Sequence, residues 1–190
     1  MRTLQTITAI TLFFIALNVQ AQDETPKGYS KGSIVLAHNS TVSGYVKDKM
    51  KSEAAIGFIN ENQKKKTYSG ADILSVSIGN ENYICIKGDF FKTICNGKLC
   101  FLQKMSDASG KPSYNGTEPV FSNGTAGKPG DYFIYDNMSK ELRLIAKKNY
   151  DEVIAVVFAG NTAALDKAKT VNGDLSQLKE AVEIYNNANK

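Results

Sequence analysis

The 190-residue sequence contains no Trp, one His, three Cys and four Pro. Without Trp, the chain lacks the largest of the flat aromatic platforms on which sugars stack, although nine Tyr are present. With a single His, imidazole acid–base chemistry depends on His38 alone, and no Gly-x-Ser-x-Gly motif accompanies it. These absences argue against the common catalytic triads.

The three cysteines are Cys85, Cys95 and Cys100, and their neighbours are mostly apolar. No two of them form a Cys-x-x-Cys pair, so we predict no metal site and no cofactor. Two interpretations stay open: burial as three small apolar side chains, or a Cys85–Cys100 disulfide that leaves one thiol free. A nucleophilic cysteine needs a base, and His38 with Cys95 or Cys100 is the one candidate set.

The sequence has no apolar run as long as a membrane-spanning helix, which needs about 20 residues. The longest apolar stretch covers residues 7–17 and follows Arg2. Small residues at Val19 and Ala21 then fit a signal-peptidase site. We therefore predict that residues 1–21 are a signal peptide, that no transmembrane segment is present, and that the remaining chain is periplasmic or secreted.

The formal net charge is +4, which is too small to predict a polyanionic partner. The lysines concentrate at positions 47, 49 and 51 and at 64–66, where Asp48, Glu53 and Glu61 lie close in sequence. No interleaved aromatic side chains accompany them, so we interpret them as solvated surface and predict no nucleic-acid partner.

Residues 22–32 are polar and are predicted to form a short leader before a β-rich domain that covers residues 33–190. Apolar runs bounded by turn residues predict a series of strands. They lie at 34–36, 41–47, 55–59, 66–68, 73–78, 83–86, 99–102 and 132–135.

Residues 89–97 fit two structures. As a helix, Asp89 is the N-cap and Gly97 the left-handed stop, with Phe90, Phe91 and Ile94 on one face. As a hairpin, Asn96 and Gly97 form the turn before Leu99. The helix is the prediction that we favour here.

Residues 106–131 hold five of the 15 Gly and three of the four Pro, so a continuous regular element is excluded. A short strand at Val120 and Phe121 between two turns is one interpretation. A binding loop is the other, because long loops are disproportionately functional. Tyr114, Phe121 and Lys128 are its candidate ligand-binding residues.

Beyond residue 135 the pattern becomes helical. Asn149 and Asp174 fit N-caps, Gly160 fits a helix end, and residues 161–169 are predicted to form a short Ala-rich helix. Leu175, Leu178, Val182 and Tyr185 form one apolar stripe, which we expect to cover a sheet of the same domain. The predicted class is α+β, with an antiparallel sheet or small barrel followed by about three C-terminal helices.

Two resemblances follow from these residues. Residues 33–78, with Gly44-Tyr45-Val46 and the later Asp72-Ile73, are similar to Sm-like small β-barrels, in which a glycine permits a strongly bent strand. The order of segments along the whole chain, including Phe90-Phe91-Lys92, resembles uncharacterised secreted proteins of Bacteroidota-type bacteria. The resemblances imply an architecture and no activity.

The sequence thus favours an exported, non-enzymatic binding or interaction protein of the cell envelope. Its partner would be an envelope protein or polymer of unknown identity, and the oligomeric state is open. A hydrolase or thiol-dependent enzyme is the alternative.

Overall fold

The computed structural model describes residues 25–115, 118–121 and 123–189, and at 112–115 and 118–121 it describes the backbone. Ten strands form one antiparallel sheet in the order β12-β11-β8-β7-β6-β5-β1-β2-β3-β4, and β9 and β10 form a separate two-stranded ribbon. The class is α+β, as predicted. Of the two forms expected, the chain has the sheet, which does not close into a barrel.

The strands follow one another through short turns. Their bounds are β1 Ser30–Leu36, β2 Thr41–Lys49, β3 Ala55–Asn60, β4 Lys65–Ser69, β5 Ile73–Ile78, β6 Glu81–Ile86, β7 Asp89–Cys95, β8 Leu99–Lys104, β9 Pro112–Asn115, β10 Glu118–Phe121, β11 Tyr132–Asp136 and β12 Leu142–Ile145. The helices are α1 Met50–Glu53, α2 Tyr150–Val157, α3 Thr162–Lys169 and α4 Leu178–Ala188, with 3₁₀ turns at Lys147–Asn149 and Leu175–Gln177. All the predicted strands are present, whereas α1, β9 and β12 were not predicted and β7 lies where a helix was favoured.

The sheet has two faces, because directly paired residues of antiparallel strands project to the same side. We call the side that carries Ile34, Val76 and Phe101 the core face. The opposite side, which carries Ser77, Thr93 and Cys100, is called the open face. The two sets follow from the strand registers across β1, β5, β6, β7 and β8.

The core face buries two apolar clusters. One lies over the first strands and includes Ile34, Phe58 and Phe90. The backbones of β2 and β3 approach closely at Gly44, where a Cβ atom would lie 2.2 Å from the carbonyl oxygen of Ile59. Only glycine, which has no Cβ atom, allows β2 and β3 to approach this closely at Gly44.

The second cluster lies between the sheet and the C-terminal helices. Leu178 and Val182 of α4 pack with Phe101 of β8, and all three are fully buried. The predicted covering role of the last helix is confirmed.

Asp174 caps the last helical segment by accepting a hydrogen bond from the Ser176 N–H, as predicted, whereas Asn149 makes no side-chain capping hydrogen bond to α2. Asn161, which was not predicted as a cap, caps α3 by accepting a hydrogen bond from the Ala164 N–H at 3.0 Å.

The helix favoured for residues 89–97 is wrong, because this segment is strand β7 and the turn that leads to β8. Phe90 packs in the core-face cluster of the first strands, whereas Phe91 packs with Leu102 and Phe133 on the open face. Adjacent residues of a strand project to opposite sides, so both rings are buried at once. A helix would place them on nearly the same side.

Candidate functional site

A groove of about 410 Å³ crosses the open face of the sheet. We call it the hydroxyl groove, and its polar lining side chains include Ser33, Ser75, Ser77, Thr93, Asn96 and Asn137. None of the lining residues is Asp, Glu, Lys, Arg or His. The groove therefore offers hydrogen bonds in both directions without a fixed charge.

The strand order assembles one end of the groove from distant parts of the sequence. Strand β5 pairs with β1, which places Ser77 opposite Ser33, and with β6, which places Ser77 opposite Asn82. Ser77 Oγ accepts a hydrogen bond from the Ser33 N–H at 3.0 Å, and the two hydroxyl oxygens are also 3.0 Å apart. This end is fixed by its own hydrogen bonds, while Asn82 is exposed.

The other end of the groove is formed by amide side chains around Cys100. Asn137 Nδ2 donates a hydrogen bond to the carbonyl oxygen of Gly97 at 2.6 Å and contacts Cys100 Sγ at 3.2 Å. Cys100 Sγ in turn lies 3.0 Å from Asn96 Oδ1. The thiol is thus enclosed by amides, and no carboxylate or imidazole is among its described hydrogen-bond partners.

Thr93 in the groove carries a polar atom that the fold does not satisfy. Its Oγ1 is the only buried side-chain nitrogen or oxygen atom among the described residues that lacks a hydrogen-bond partner. A buried hydroxyl without a partner costs roughly 1–3 kcal/mol of stability. Such costs concentrate at functional sites, which supports the groove as the site to test.

We expect Thr93→Val to stabilise the protein by about 1 kcal/mol, because the substitution removes the unsatisfied hydroxyl and keeps the branched shape. For a chain of this length, that corresponds to a rise of roughly 2–4 °C in Tm. Thermal unfolding measures the change. Thr67→Val on the exposed surface of β4 is the control for β-propensity and should change stability by less than about 0.5 kcal/mol. The prediction would be contradicted if the Tm of Thr93→Val were unchanged or lower while the Tm of Thr67→Val stayed near that of the wild type.

A larger cavity, of about 520 Å³, lies between the β7–β8 turn and α4. Its charged side chains already have partners within the fold. Lys179 Nζ lies 3.5 Å from Glu183 Oε1, and Lys98 Nζ donates a hydrogen bond to Asn189 Oδ1 at 3.2 Å. Because these charged groups are paired within the fold, we interpret the cavity as solvated surface beside α4.

The Gly/Pro-rich segment is fixed to the sheet by an ion pair between Asp89 and Lys104, and both side chains are fully buried. Asp89 accepts hydrogen bonds from the N–H groups of Ala108 and Thr125, each at 2.7 Å. Lys104 Nζ lies 3.1 Å from Asp89 Oδ2 and donates to the carbonyl oxygens of Thr125 and Gly127 at 2.8 and 3.0 Å. The base of the segment is therefore held by a buried polar network.

The three ligand-binding candidates of this segment were Tyr114, Phe121 and Lys128. Tyr114 is in β9 and Phe121 in β10, which confirms the predicted strand at Val120, but their side chains are outside the described part of the structure. Lys128 is exposed, and its N–H donates to Asp131 Oδ2 at 2.8 Å in a turn. Lys128 is not among the described residues that line the hydroxyl groove.

All three cysteines are free. Cys85 packs on the core face and Cys100 on the open face, so the sheet itself separates them, and the structure does not form the Cys85–Cys100 bond. Burial, and then the Asp89 carboxylate, raises the pKa of Cys85. Burial, and then the Glu183 carboxylate, raises the pKa of Cys95. Both thiols therefore stay protonated at neutral pH, unlike an activated nucleophile.

His38 lies exposed in the turn between β1 and β2. No described hydrogen bond joins it to a cysteine or to a carboxylate. Within the described ranges, no cluster of three or more His, Cys, Asp or Glu residues could hold a metal ion. The same part of the chain contains no helix that is long and apolar enough to cross a membrane.

The lysines at 64–66 are exposed, and two of them belong to β4, which forms one edge of the sheet. Lysines on an edge strand oppose pairing with another chain. Lys66 Nζ also lies 4.5 Å from the centre of the Tyr68 ring. Edge protection is a sufficient explanation of this basic run.

No protein-family model, curated protein or solved structure matches the chain.

Proposed function

We propose that the protein is an exported, non-enzymatic binding protein of the cell envelope, and that its ligand occupies the hydroxyl groove. The observation that carries this proposal is the uncharged lining of the groove, in which hydroxyl and amide side chains converge on one concave surface. Export rests on the signal peptide expected at residues 1–21, which lie outside the described part of the chain.

Binding is favoured over catalysis because of what surrounds each polar group. Ser33 and Ser77 hydrogen-bond to each other, so neither hydroxyl is activated by a base. Cys100 is enclosed by Asn96 and Asn137, which are neutral at every physiological pH. These groups can orient a ligand but do not supply a proton-transfer pair.

The absence of charge also restricts the ligand. A carboxylate, phosphate or ammonium group would lose its hydration in the groove without gaining a counter-charge, which is unfavourable. A neutral ligand with many hydrogen-bond donors and acceptors pays a smaller desolvation cost than a charged one, because the lining hydroxyl and amide groups can replace its bound water molecules. We therefore expect an uncharged polar ligand.

Backbone amide shifts during titration test the proposal with two uncharged probes, a blocked dipeptide amide and glucose, and two charged probes, acetate and methylammonium. We expect at least one uncharged probe to shift amides of β5–β8 that border the groove, and the charged probes to leave them unchanged. Ser75→Phe, which fills the groove, should abolish the shifts, whereas Ser52→Phe on the exposed surface of α1 should not. Equal response to all four probes, or none, would overturn the proposal.

A further inference from the structure

The position of the groove in the sheet restricts the ligand further. Its lining residues come from β1, β5, β6, β7 and β8, which are neighbours in that order, from Asn96 in the turn after β7 and from Asn137 after β11. Five adjacent strands, spaced about 4.8 Å apart, extend over roughly 19 Å. The groove therefore crosses the strands and suits an elongated ligand.

The strands below the groove have no free edge. Each of β1, β5, β6, β7 and β8 is hydrogen-bonded to a strand on either side. A peptide that adds to a sheet obtains its affinity from main-chain hydrogen bonds at an open edge. Here a peptide would find side chains alone, so the main mode of extended-peptide recognition is unavailable at this site.

The side chains instead match a ligand that is dense in hydroxyl groups. Each Ser, Thr or Asn both donates and accepts hydrogen bonds, as each sugar hydroxyl does. Val35 and Ile84 also line the groove, and they provide apolar contact for the C–H faces of a sugar ring. No Lys or Arg lines the groove, which excludes the usual recognition of nucleic acid or anionic glycans.

We propose that the hydroxyl groove binds a short, linear, neutral oligosaccharide. This inference rests on the function proposed above and adds the ligand class. Because the chain has no Trp for ring stacking, affinity comes from modest hydrogen bonds and aliphatic contact. The expected dissociation constant is about 1 mM, which corresponds to roughly 4 kcal/mol.

The test titrates the protein with cellotetraose, maltotetraose and chitotetraose and, separately, with the blocked neutral peptide acetyl-Ala-Ser-Ala-Ser-amide. Backbone amide shifts locate the binding site and give the dissociation constant. We expect at least one tetrasaccharide to shift amides along the groove and to bind at least about tenfold more tightly than the peptide.

Two single substitutions test the contribution of the groove without filling it. Asn82 is exposed at one end of the groove, so Asn82→Ala removes a ligand contact and should weaken saccharide binding about five- to tenfold. Asn172→Ala in the exposed loop after α3 is the matched control and should leave affinity unchanged. Unaltered unfolding curves for both variants would show that the fold is intact.

Each result bears on one proposal or both. Peptide binding in the groove without saccharide binding overturns the oligosaccharide inference and leaves the binding function standing. Saccharide binding that is insensitive to Asn82→Ala and to Ser75→Phe overturns the assignment of saccharide to this groove. If neither ligand shifts groove amides at tens of millimolar, both proposals are wrong.

Discussion

Asp89→Ala should destabilise the protein by roughly 3–5 kcal/mol, a large share of the 5–15 kcal/mol that is typical of a native protein. The substitution leaves the Lys104 ammonium fully buried without its counter-charge. It also removes the acceptor of the Ala108 and Thr125 N–H groups, which then have no partner at that site. Chemical denaturation measures the loss as a lower midpoint.

The control is an exposed ion pair of the same kind. Lys49 Nζ lies 3.0 Å from Glu53 Oε2, and Glu53 is exposed to solvent. Glu53→Ala should therefore cost less than about 0.5 kcal/mol, because water solvates the remaining lysine. If the two substitutions cost the same, burial does not determine the value of the Asp89–Lys104 pair.

A double substitution separates the charge from the hydrogen bonds. Combining Asp89→Ala with Lys104→Met removes both ions, so no buried charge remains without a partner. We expect the double variant to be more stable than Asp89→Ala alone, since the two substitutions are coupled. It should stay below the wild type, because the donors of Ala108 and Thr125 still lack their acceptor.

The same network explains why the Gly/Pro-rich segment was only partly predictable. Its composition correctly excluded a continuous element, and the short strand at Val120 is present. The anchor at its base pairs Asp89 with Lys104, which are brought together by the β7–β8 hairpin. If Asp89 is interpreted as a helix cap, the sequence does not indicate Lys104 as its partner. A charged residue at the end of each of two apolar strands was the available signal.

The strands and C-terminal helices were predictable because their signals are local. Apolar alternation and turn residues determine β5, and the Asp174 cap marks the start of the last helical segment. Segment 89–97 was not predictable in this way, because Phe90-Phe91 suits a helix and also a strand buried on both faces. Packing on both sides of the sheet decides between them, and sequence periodicity does not contain that information.

The hydroxyl groove could not be predicted from the sequence, because its residues come together only through the strand order of the sheet. Ser75 and Ser77 alternate with buried Val76, which marks a strand with one polar side. Their neighbour Ser33 belongs to β1, and the β1–β5 pairing spans three intervening strands in sequence. Single polar residues therefore looked like ordinary surface, and they become a site only when the strand order is known.

Asn186→Ala should cost roughly 2–4 kcal/mol, because one side chain satisfies both main-chain groups of a buried residue. Asn186 Oδ1 accepts a hydrogen bond from the Leu99 N–H, and Nδ2 donates to the Leu99 carbonyl oxygen, each at 2.9 Å. Removing the carboxamide leaves two buried polar groups, each of which costs about 1–3 kcal/mol when it lacks a partner. Denaturation curves measure the change.

Asn187→Ala is the matched control, since the neighbouring side chain is exposed on the same helix and undergoes the same change in helix propensity. It should not destabilise the protein. A similar loss for both variants would mean that α4 responds to asparagine replacement in general, and that the contact with Leu99 contributes little.

Gly97 should be coupled to Asn186 through space. A Cβ atom at Gly97 would lie 2.5 Å from Cγ of the Asn186 carboxamide. Gly97→Ala should therefore cost roughly 1–3 kcal/mol by overpacking. In the Asn186→Ala background the obstructing carboxamide is gone, so the same substitution should cost much less, and the double variant should be more stable than the sum of the single effects predicts. Strict additivity would show that Gly97 is required for its backbone and not for the space that it leaves to α4.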